Sequence, residues 1–594
     1  MIEKILEILK TTEYDFRIYT PNNDPLEHLF PEWVYNYQLK YAISKAIQAE
    51  TILETGVRFG YSAIAFLDGS PNASYVGIDI DSETYGGVKG AIDWAKKITK
   101  QYDVTYLMED TTKMKSFPGD FYDLIHVDAQ QDGDSTIGDM EKALEKGKYI
   151  LVDGYFWTNP NTLSATYFLK KYKQYIEYAL IIPGYAGELL IKTNANAKHI
   201  FSNHTYLNDG LQHMFDENYY LNNYSGYETF LRTNGEEISD GRLLAAIYLA
   251  NADKTKIILD IGSGRGELAY ALSKSSLHVT GLDYSEDAIN IAKRTFKNIK
   301  NLEFVQADIL KYETDKKFDV ILATDVVEHI EQEMLLKMFS KVKTLLSKDG
   351  LFIIHTAPNK LKYMYEYANK YNLAHEIGTY IPKNPRTHYE DMMHINEQTP
   401  AALNRGLKTS FENVAVWTSA TPDILGDFDT KPNKATLKKN DSIFAIASNE
   451  IIQKQDILSR LTQQPLHRET LNVRIKPLEN ISQLTVNEKI VLHVELENHS
   501  PERLVSLAPF PVHIAYHWKD KESGEYTTFD GIRSIINPPL RGNSKEVYKV
   551  NIVASGKVGS YILELSMVQE GQFWFEQVCS DVICKLEIEV KVKT

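Results

Sequence analysis

The segment Leu259–Glu267 carries the clearest chemical pattern in this sequence. It reads LDIGSGRGE, so an apolar strand ends near Asp260 and three glycines, Gly262, Gly264 and Gly266, precede a helix. Side chains at these positions would block close approach of a ligand to the backbone, and the start of the helix offers free N–H groups. The pattern therefore predicts a nucleotide-like ligand at this turn.

Two acidic residues follow at the ends of the next two predicted strands. Asp283 ends the strand in VTGLDYS, and Asp308 follows the strand in QADIL. A carboxylate at the first position can accept the ribose hydroxyls of a nucleotide across the crevice at the carboxyl ends of the strands. The second is placed to bind an exocyclic amine. A dinucleotide fold would have glycines in the order G-x-G-x-x-G, so the G-x-G-x-G spacing favours S-adenosylmethionine.

With DYS at 283–285, DI at 308–309 and FDVILATDVVEHI at 318–330, the second half of the chain resembles the class I S-adenosylmethionine-dependent methyltransferases. The resemblance implies that the glycine loop holds the methionine part, Asp283 the ribose and Asp308 the adenine amine. Thr324, at the tip of the fourth strand, is a further candidate for lining the cleft. The cofactor-binding residues expected in this half are Asp260, Gly262, Gly264, Gly266, Asp283, Tyr284, Asp308, Ile309 and Thr324.

A second glycine-rich turn lies near the start of the chain, in ILETGVRFGYS at 52–62. This half resembles another branch of the same superfamily, near the macrocin O-methyltransferases and catechol-type enzymes. The expected cofactor-binding residues here are Glu54, Gly56, Gly60, Asp79 and Asp110.

That branch also suggests a divalent metal, such as Mg²⁺, at Asp128 in LIHVDAQQDGD and Asp153 in ILVDGYFW. Two carboxylates hold a hard cation only if waters and substrate complete its shell. The sequence departs from the branch at both places, with Ala-Gln-Gln after Asp128 and Gly after Asp153. Three interpretations stay open: a metal-dependent site, a metal-free site, and a half that binds cofactor without catalysis.

His329, His394 and Asp325 are the expected catalytic residues. The methyl group of S-adenosylmethionine is already activated, so the enzyme must mainly align the reactants. For a sugar hydroxyl, a general base contributes roughly 10²- to 10⁴-fold, and histidine has a suitable pKa. His329 follows the fourth strand with Asp325 one helical turn before it, and His394 lies in an insertion where a substrate cap would sit. The alternatives are a packed His329 and a solvated His394.

Strands and helices must alternate to position these residues. Both halves show such alternation, which predicts parallel sheets flanked by helices, and the first ends in a hairpin about Pro183-Gly184. After residue 450, short alternating stretches indicate a β-sandwich. The expected fold is therefore α/β, with two Rossmann-like seven-stranded methyltransferase domains and an all-β C-terminal sandwich. The predicted divisions are 1–196 and 241–450 for the methyltransferase domains, 197–240 for a helical connector or lid, 451–470 for a linker and 471–594 for the sandwich.

The sandwich carries aromatic-rich segments, including AYHWKDKESGE, FDGIRSIINPPL and MVQEGQFWFEQ. They resemble C-terminal modules of bacterial polysaccharide-assembly proteins. Trp and Tyr can stack on sugar rings, while polar side chains bind the hydroxyls. Trp518, Arg533 and Trp574 are the predicted glycan-binding residues. The alternative is that both tryptophans belong to the inter-sheet core.

Composition excludes several classes of function. The 594 residues have a formal charge of −15 and no basic run, which argues against nucleic acid and anionic membranes as partners. The two cysteines suggest neither a disulfide framework nor a zinc site. No transmembrane segment or signal peptide is predicted, so we expect a cytoplasmic protein, with peripheral association to the inner face of the membrane left open.

These observations predict an S-adenosylmethionine-dependent O-methyltransferase acting on sugar hydroxyls in a surface polysaccharide or its precursor. The expected partners are a nucleotide sugar or polysaccharide acceptor and glycosyltransferases of the same pathway. One alternative has a single active half, with a degenerate N-terminal half serving as a scaffold or glycan-binding protein. A nicotinamide-dependent oxidoreductase is disfavoured by the glycine spacing and the terminal hairpin. The sequence does not indicate which hydroxyl is methylated, whether lipids or small metabolites are acceptors instead, or whether the chain forms oligomers.

Overall fold

Two α/β sheets and a pair of β-sheets make up the protein. The computed structural model describes residues 1–22, 24–84, 87–197, 214–238, 240–420, 423–428, 430 and 433–592. The chain divides into two compact units: the first is Met1–Leu211 with Tyr365–His394, and the second is Gln212–Met364 with Ile395–Thr594. These units differ from the predicted divisions, since an insertion of the second half belongs to the first unit.

The first unit is built on a seven-stranded sheet in the order β3-β2-β1-β4-β5-β7-β6. Strand β7 is antiparallel to β5 and β6, and the other pairs are parallel. The strands are β1 Thr51–Thr55, β2 Ser74–Asp79, β3 Asp103–Met108, β4 Tyr122–Val127, β5 Gly147–Val152, β6 Ile176–Ile182 and β7 Glu188–Thr193. Central strands such as β1 and β4 are buried almost throughout, as expected of a parallel sheet with both faces covered.

Helices of the first unit include two from the insertion. The α-helices are Ile2–Thr11, Phe30–Ile47, Tyr61–Gly69, Ala91–Ile98, Asp134–Lys146, Asn159–Lys171, Ala368–Glu376 and His388–Met393. The insertion is held by side-chain contacts: Lys171 pairs with Asp391 at 2.8 Å, and the Tyr371 hydroxyl donates to Asp134. The hydroxyl of Tyr167 donates to a backbone carbonyl of the insertion at 3.1 Å.

The second unit begins with a sheet of the same order, β10-β9-β8-β11-β12-β14-β13. Strand β14 is antiparallel to both of its neighbours. The strands are β8 Ile257–Ile261, β9 His278–Asp283, β10 Leu302–Gln306, β11 Phe318–Thr324, β12 Leu346–Thr356, β13 Asn413–Ser419 and β14 Ser442–Ser448. The second unit's α-helices are Tyr227–Thr233, Gly241–Ala250, Glu267–Ser273, Glu286–Thr295, Gln332–Leu345, Pro400–Leu407, Lys434–Lys439 and Lys454–Leu461. Throughout the described ranges, no helix combines the length and the hydropathy needed to cross a bilayer.

The C-terminal part is a sandwich of two sheets. One has the order β15-β17-β21 and the other β16-β24-β22-β18-β19, with β20 beside β18 and β23 beside β22. The strands are β15 Val473–Pro477, β16 Gln483–Thr485, β17 Lys489–Asn498, β18 Val512–Asp520, β19 Tyr526–Thr528, β20 Ser534–Ile535, β21 Ser544–Val553, β22 Gly559–Gln569, β23 Phe573–Trp574 and β24 Cys584–Lys591. One apolar core joins both sheets. The predicted fold class is confirmed.

The predicted linker 451–470 contains a helix, Lys454–Leu461, with Ile457 and Leu461 buried. Arg460 on this helix donates to the carbonyl of Leu249 at 2.6 Å. The segment therefore packs within the second unit instead of running as an extended connection.

Candidate functional site

The glycine loop of the second unit follows β8 and requires its glycines. Gly262, Gly264 and Gly266 have φ values of +69°, +52° and +88°. A Cβ atom on Gly262 would lie 2.4 Å from a methyl group of Val326, and one on Gly266 would lie 2.6 Å from Phe304. Larger residues would therefore be strained and would displace the neighbouring side chains. The glycines therefore let the loop pack closely against its neighbours at the carboxyl end of the sheet.

Asp283 ends β9 beside this loop. Its carboxylate accepts hydrogen bonds of 2.9 Å from the backbone N–H groups of Gly264 and Ser285. Burial raises the pKa of Asp283 to about 6, although these N–H groups oppose the shift. Asp283 thus fixes the loop and lies where a ribose would meet the sheet.

Asp260, the penultimate residue of β8, is buried at 2% exposure. Within the described ranges its Oδ2 has no hydrogen-bond partner. Burial, and then the charges of Asp283 and Glu267, raise the pKa of Asp260 to about 8. A buried carboxyl oxygen without a partner fits a ligand that brings a positive charge or a hydrogen-bond donor, and S-adenosylmethionine carries both.

The other residues predicted to bind cofactor here follow the neighbouring strands. Asp308 comes two residues after β10 and accepts a 2.9 Å hydrogen bond from the N–H of Leu310. Thr324 is the last residue of β11 and is buried. Tyr284 packs edge-on against Phe215, with ring centroids 5.4 Å apart. Ile309 lies in the apolar core, so its side chain supports the site.

Aromatic residues of the predicted connector pack against the glycine loop. Tyr220 is 3% exposed and lies 3.5 Å from where a Cβ of Gly264 would be. Arg265 holds this segment: it is 1% exposed and donates to the carbonyls of Tyr220 and Ser225 at 3.0 and 2.8 Å. Its guanidinium also pairs with Glu267 at 2.6 Å. Sequence reasoning missed Arg265, although an arginine inside a glycine turn was visible. Within the predicted connector, the structure describes residues 197, 214–238 and 240.

Asp325 has a different partner from the one expected. Its φ of +54° prevents a helical turn from joining it to His329. Its carboxylate instead contacts Arg242 and the Nδ1 of His355, each at 2.6 Å. Burial opposes ionisation, but Arg242 and His355 hold the pKa of Asp325 well below its usual range. Asp325 is therefore ionised and tied to two residues that sequence reasoning missed; His355, a polar residue near the end of β12, could have been noticed.

The two predicted catalytic histidines lie in different compact units. His329 ends a 3₁₀ helix, Val327–His329, and its ring lies edge-on to Phe215 at 5.4 Å. His394 follows the helix His388–Met393, and its N–H donates to the carbonyl of Glu390 at 3.0 Å. Their catalytic roles stay predictions.

The first unit contains a cavity of about 630 Å³ at the carboxyl ends of its strands. That volume lies within the range of small-molecule sites. Among its lining residues are five of the predicted ones: Gly56, Asp79, Asp110, Asp128 and Asp153. Glu54 and Gly60 have supporting positions. Glu54 is fully buried and contacts Ser62, Tyr75 and the Nδ1 of His126, and a Cβ on Gly60 would lie 2.7 Å from Ala95.

Asp79 and Asp110 occupy the positions that correspond to the acids of the second unit. Asp79 ends β2 and accepts from the N–H groups of Val57 and Arg58 at 2.8 and 2.9 Å. Asp110 accepts from the N–H of Thr112 at 3.0 Å. The hydrogen bonds from Thr112 and then Lys113 lower the pKa of Asp110.

The predicted metal residues of the first unit lie beside a buried lysine. The Nζ of Lys40, 1% exposed, contacts Asp153 and Glu188, each at 2.6 Å. Burial opposes ionisation of Asp153, but Lys40 holds the pKa of this carboxyl well below its usual range. Burial and the charge of Asp153 raise the pKa of Asp128 well above its usual value. While Lys40 holds these oxygens, the site does not fit a divalent metal.

The predicted glycan-binding residues separate into two groups. Trp518 is 1% exposed and its indole N–H donates to the carbonyl of Val553 at 2.9 Å, so this residue belongs to the sandwich core and is not available to a sugar. Trp574 and Arg533 are partly exposed and contact each other, with the guanidinium 5.0 Å from the ring. Phe529 and Tyr526 extend this face at 48% and 46% exposure, which the sequence did not reveal.

Residues 252–399 match the family described as "Methyltransferase domain". Together with the glycine loop and the strand order, this match identifies the second sheet as part of a class I S-adenosylmethionine-dependent methyltransferase domain.

Two curated relatives illustrate the similarity. A probable (S)-tetrahydroprotoberberine N-methyltransferase 2 of Papaver bracteatum is 34% identical over 114 residues, covering 18% of this chain and 31% of that protein. A ubiquinone biosynthesis O-methyltransferase of Coxiella burnetii is 30% identical over 159 residues, covering 26% and 64%. The chain thus spans about a third to two thirds of the length of these relatives.

Among solved structures, the chain is similar to the YcgJ protein of Bacillus subtilis at 17% identity and a TM-score of 0.26, covering 35% of this chain and 98% of that one. It is also similar to the plantazolicin methyltransferase BpumL at 19% identity and a TM-score of 0.28, covering 42% and 95%. Scores this low carry no functional information.

Proposed function

We propose that the protein transfers a methyl group from S-adenosylmethionine to a hydroxyl of a sugar in a surface polysaccharide or its precursor. The observation that carries this proposal is the glycine loop Gly262–Gly266, which follows the buried Asp260 and is hydrogen-bonded to the buried Asp283.

The second unit's residues would act mainly by positioning. Bound S-adenosylmethionine would supply an activated methyl group on a positively charged sulfur. Asp283 would accept hydrogen bonds from the ribose hydroxyls, Asp308 would accept one from the adenine amine, and the carboxyl of Asp260 would offset the positive charge of the methionine part. His329 takes the proton from the acceptor hydroxyl as general base. Asp325, fixed by Arg242 and His355, keeps a negative charge near this edge of the sheet and is a positioning residue.

A sugar acceptor is supported by the exposed face of the sandwich around Trp574. Phe529 and Tyr526 offer rings for stacking, and Arg533, which pairs with Glu570 at 2.6 Å, adds polar groups for hydroxyls. On this proposal the sandwich retains the glycan or its glycosyltransferase while the second unit methylates it.

A second methyltransferase site in the first unit is favoured by the cavity of about 630 Å³. Gly56 and Asp79 line it at the strand positions that Gly262 and Asp283 occupy in the second sheet. The proposal therefore includes two cofactor molecules per chain. The rival is a first unit that serves only as a scaffold.

The decisive experiment combines calorimetry with methyl transfer. Titration of the whole protein with S-adenosylmethionine should give two sites, and Asp79→Ala and Asp283→Ala should each leave one. Labelled methyl groups should pass to members of a panel of nucleotide sugars and short glycans, with phenols and amines as comparison acceptors. Asp283→Ala should lower this transfer at least 100-fold.

Three results would contradict parts of the proposal. A single site that survives Asp79→Ala would make the first unit a scaffold. Transfer only to phenols or amines would exclude the sugar acceptor. Saturable binding of a nicotinamide dinucleotide, with none of S-adenosylmethionine, would contradict the reaction itself.

A further inference from the structure

A buried ammonium group lies at the floor of the first unit's cavity. Lys40 extends from the helix Phe30–Ile47, and its side chain is 1% exposed although it lines the cavity. Its Nζ donates to the carboxylates of Asp153 and Glu188 at 2.6 Å each. Asp153 follows β5 and Glu188 begins β7, so the lysine joins two neighbouring strands of the sheet.

The acidic groups around Lys40 have the arrangement of a metal site. One nitrogen of His126 and one oxygen each of Asp153 and Glu188 lie within 4.8 Å of one another. His126, like Glu188, is almost fully buried. Imidazole nitrogen and carboxylate oxygen are ligands that divalent metals use in proteins.

Lys40 and a metal ion would need the same oxygens. A divalent cation requires carboxylate oxygens at about 2.0–2.6 Å. The ammonium already lies 2.6 Å from Asp153 and from Glu188, so an ion bound to these oxygens would meet a positive charge at contact distance. Buried carboxylates need a positive partner because their desolvation is costly. One such partner is built into the chain.

We propose that Lys40 is a permanent replacement for a divalent metal, so that the first unit's cavity binds its ligand without one. This inference goes beyond the proposed function, because it concerns cation binding and holds whether or not the first unit transfers methyl groups. It also predicts that removal of the ammonium opens a metal site at Asp153 and Glu188.

The test is Mn²⁺ binding to the full chain, followed by electron paramagnetic resonance and by calorimetry. The wild-type protein should show no saturable binding that depends on Asp153. The Lys40→Met variant should gain a site, with affinity at least 10-fold above the wild type, and Asp153→Asn in the same chain should abolish this gain. Lys142→Met is the matched control, because Lys142 also pairs with a buried carboxylate at 2.6 Å but does not line the cavity.

Several outcomes would overturn the proposal. Saturable Mn²⁺ binding to the wild-type protein that is lost in Asp153→Asn would show that the ion and Lys40 coexist. A folded Lys40→Met variant without new Mn²⁺ binding would also contradict it. If Lys40→Met does not fold, as judged by circular dichroism, Lys40→Gln takes its place, and the wild-type titration still gives a decisive result.

Discussion

Two acids at equivalent positions, Glu54 and Asp260, have opposite surroundings. Each is the penultimate residue of the first strand of its sheet, and each is buried. Ser62, Tyr75 and His126 all contact the carboxylate of Glu54. One oxygen of Asp260 has no partner in the described part of the chain. Glu54 therefore serves the structure of its unit, whereas Asp260 is available to a ligand.

Asp260→Asn should remove a pH dependence of stability. Burial raises the pKa of Asp260 to about 8 from 3.8, so the folded protein binds this proton more tightly than the unfolded one. Stability from this group is therefore greatest below pH 4 and falls as pH rises towards 8. Asparagine cannot ionise, so the free energy of unfolding of the variant should rise relative to that of the wild type as pH increases, by up to about 1.4 kcal/mol per pH unit. Melting temperatures of both proteins at pH 5, 6.5 and 8 measure this trend.

The control is Asp110→Asn, since the pKa of Asp110 is lowered by Thr112 and Lys113. Because Asp110 is ionised in both the folded and the unfolded protein above about pH 5, this variant should differ from wild type by a small amount that stays constant from pH 5 to pH 8. A constant difference between Asp260→Asn and wild type across this pH range would contradict the burial of an ionisable carboxyl.

At the scale of elements, the aromatic segment of residues 219–230, which precedes the second sheet, covers the glycine loop. Tyr220 lies against Gly264, and Arg265 binds the segment through its carbonyls. The Arg265 guanidinium also lies 4.7 Å from the rings of Tyr224 and Phe230. A single buried arginine therefore links the loop to its cover.

Arg265→Met should loosen this cover and weaken cofactor binding. Loss of hydrogen bonds from a buried charged group costs about 1.5–3 kcal/mol each, so we expect at least a 10-fold weaker affinity for S-adenosylmethionine in the second unit. Hydrogen exchange should rise in residues 219–226. Arg294→Met, which removes an exposed arginine paired with Glu217, should change neither. Unchanged affinity in Arg265→Met would contradict the role of the cover.

The elements were more predictable from sequence than the contacts between them. Apolar runs ending in Asp283 or Asp79 indicate strands and their carboxyl ends, because the strand pattern is local. Lys40 could not be assigned to Asp153, because it lies on a helix more than a hundred positions away and its partner is fixed only by the folded sheet. The pairing of Arg242 with Asp325 was missed for the same reason. Trp518 was ambiguous because core and sugar-binding tryptophans have the same local sequence.

For the whole molecule, the sandwich extends the protein beyond a catalytic domain. It belongs to the second unit, to which Lys549 is joined by an ion pair with Glu237 at 2.9 Å. Its core holds Trp518, while Trp574 and Phe529 remain accessible. The proposed binding of a long glycan by the sandwich can therefore be tested separately from the proposed methylation of a short acceptor.

Trp574→Ala should raise KM for a polymeric glycan at least 5-fold and leave kcat for a nucleotide sugar unchanged, because one stacking ring contributes about 1 kcal/mol or more. Methyl transfer to both acceptors measures this difference. Trp518→Ala should instead lower the melting temperature, since truncation of a buried tryptophan costs about 3–5 kcal/mol. Equal loss on both acceptors in Trp574→Ala would exclude a glycan-retaining face.

The segment Tyr365–His394 has a consequence for how this polypeptide can be divided. The chain leaves the second unit after Met364, contributes two helices to the first, and returns at Ile395. A gene fragment ending before residue 212 would therefore encode an incomplete first unit, and one starting there would carry a segment deprived of its packing partner. No single cut in the chain therefore leaves both units complete.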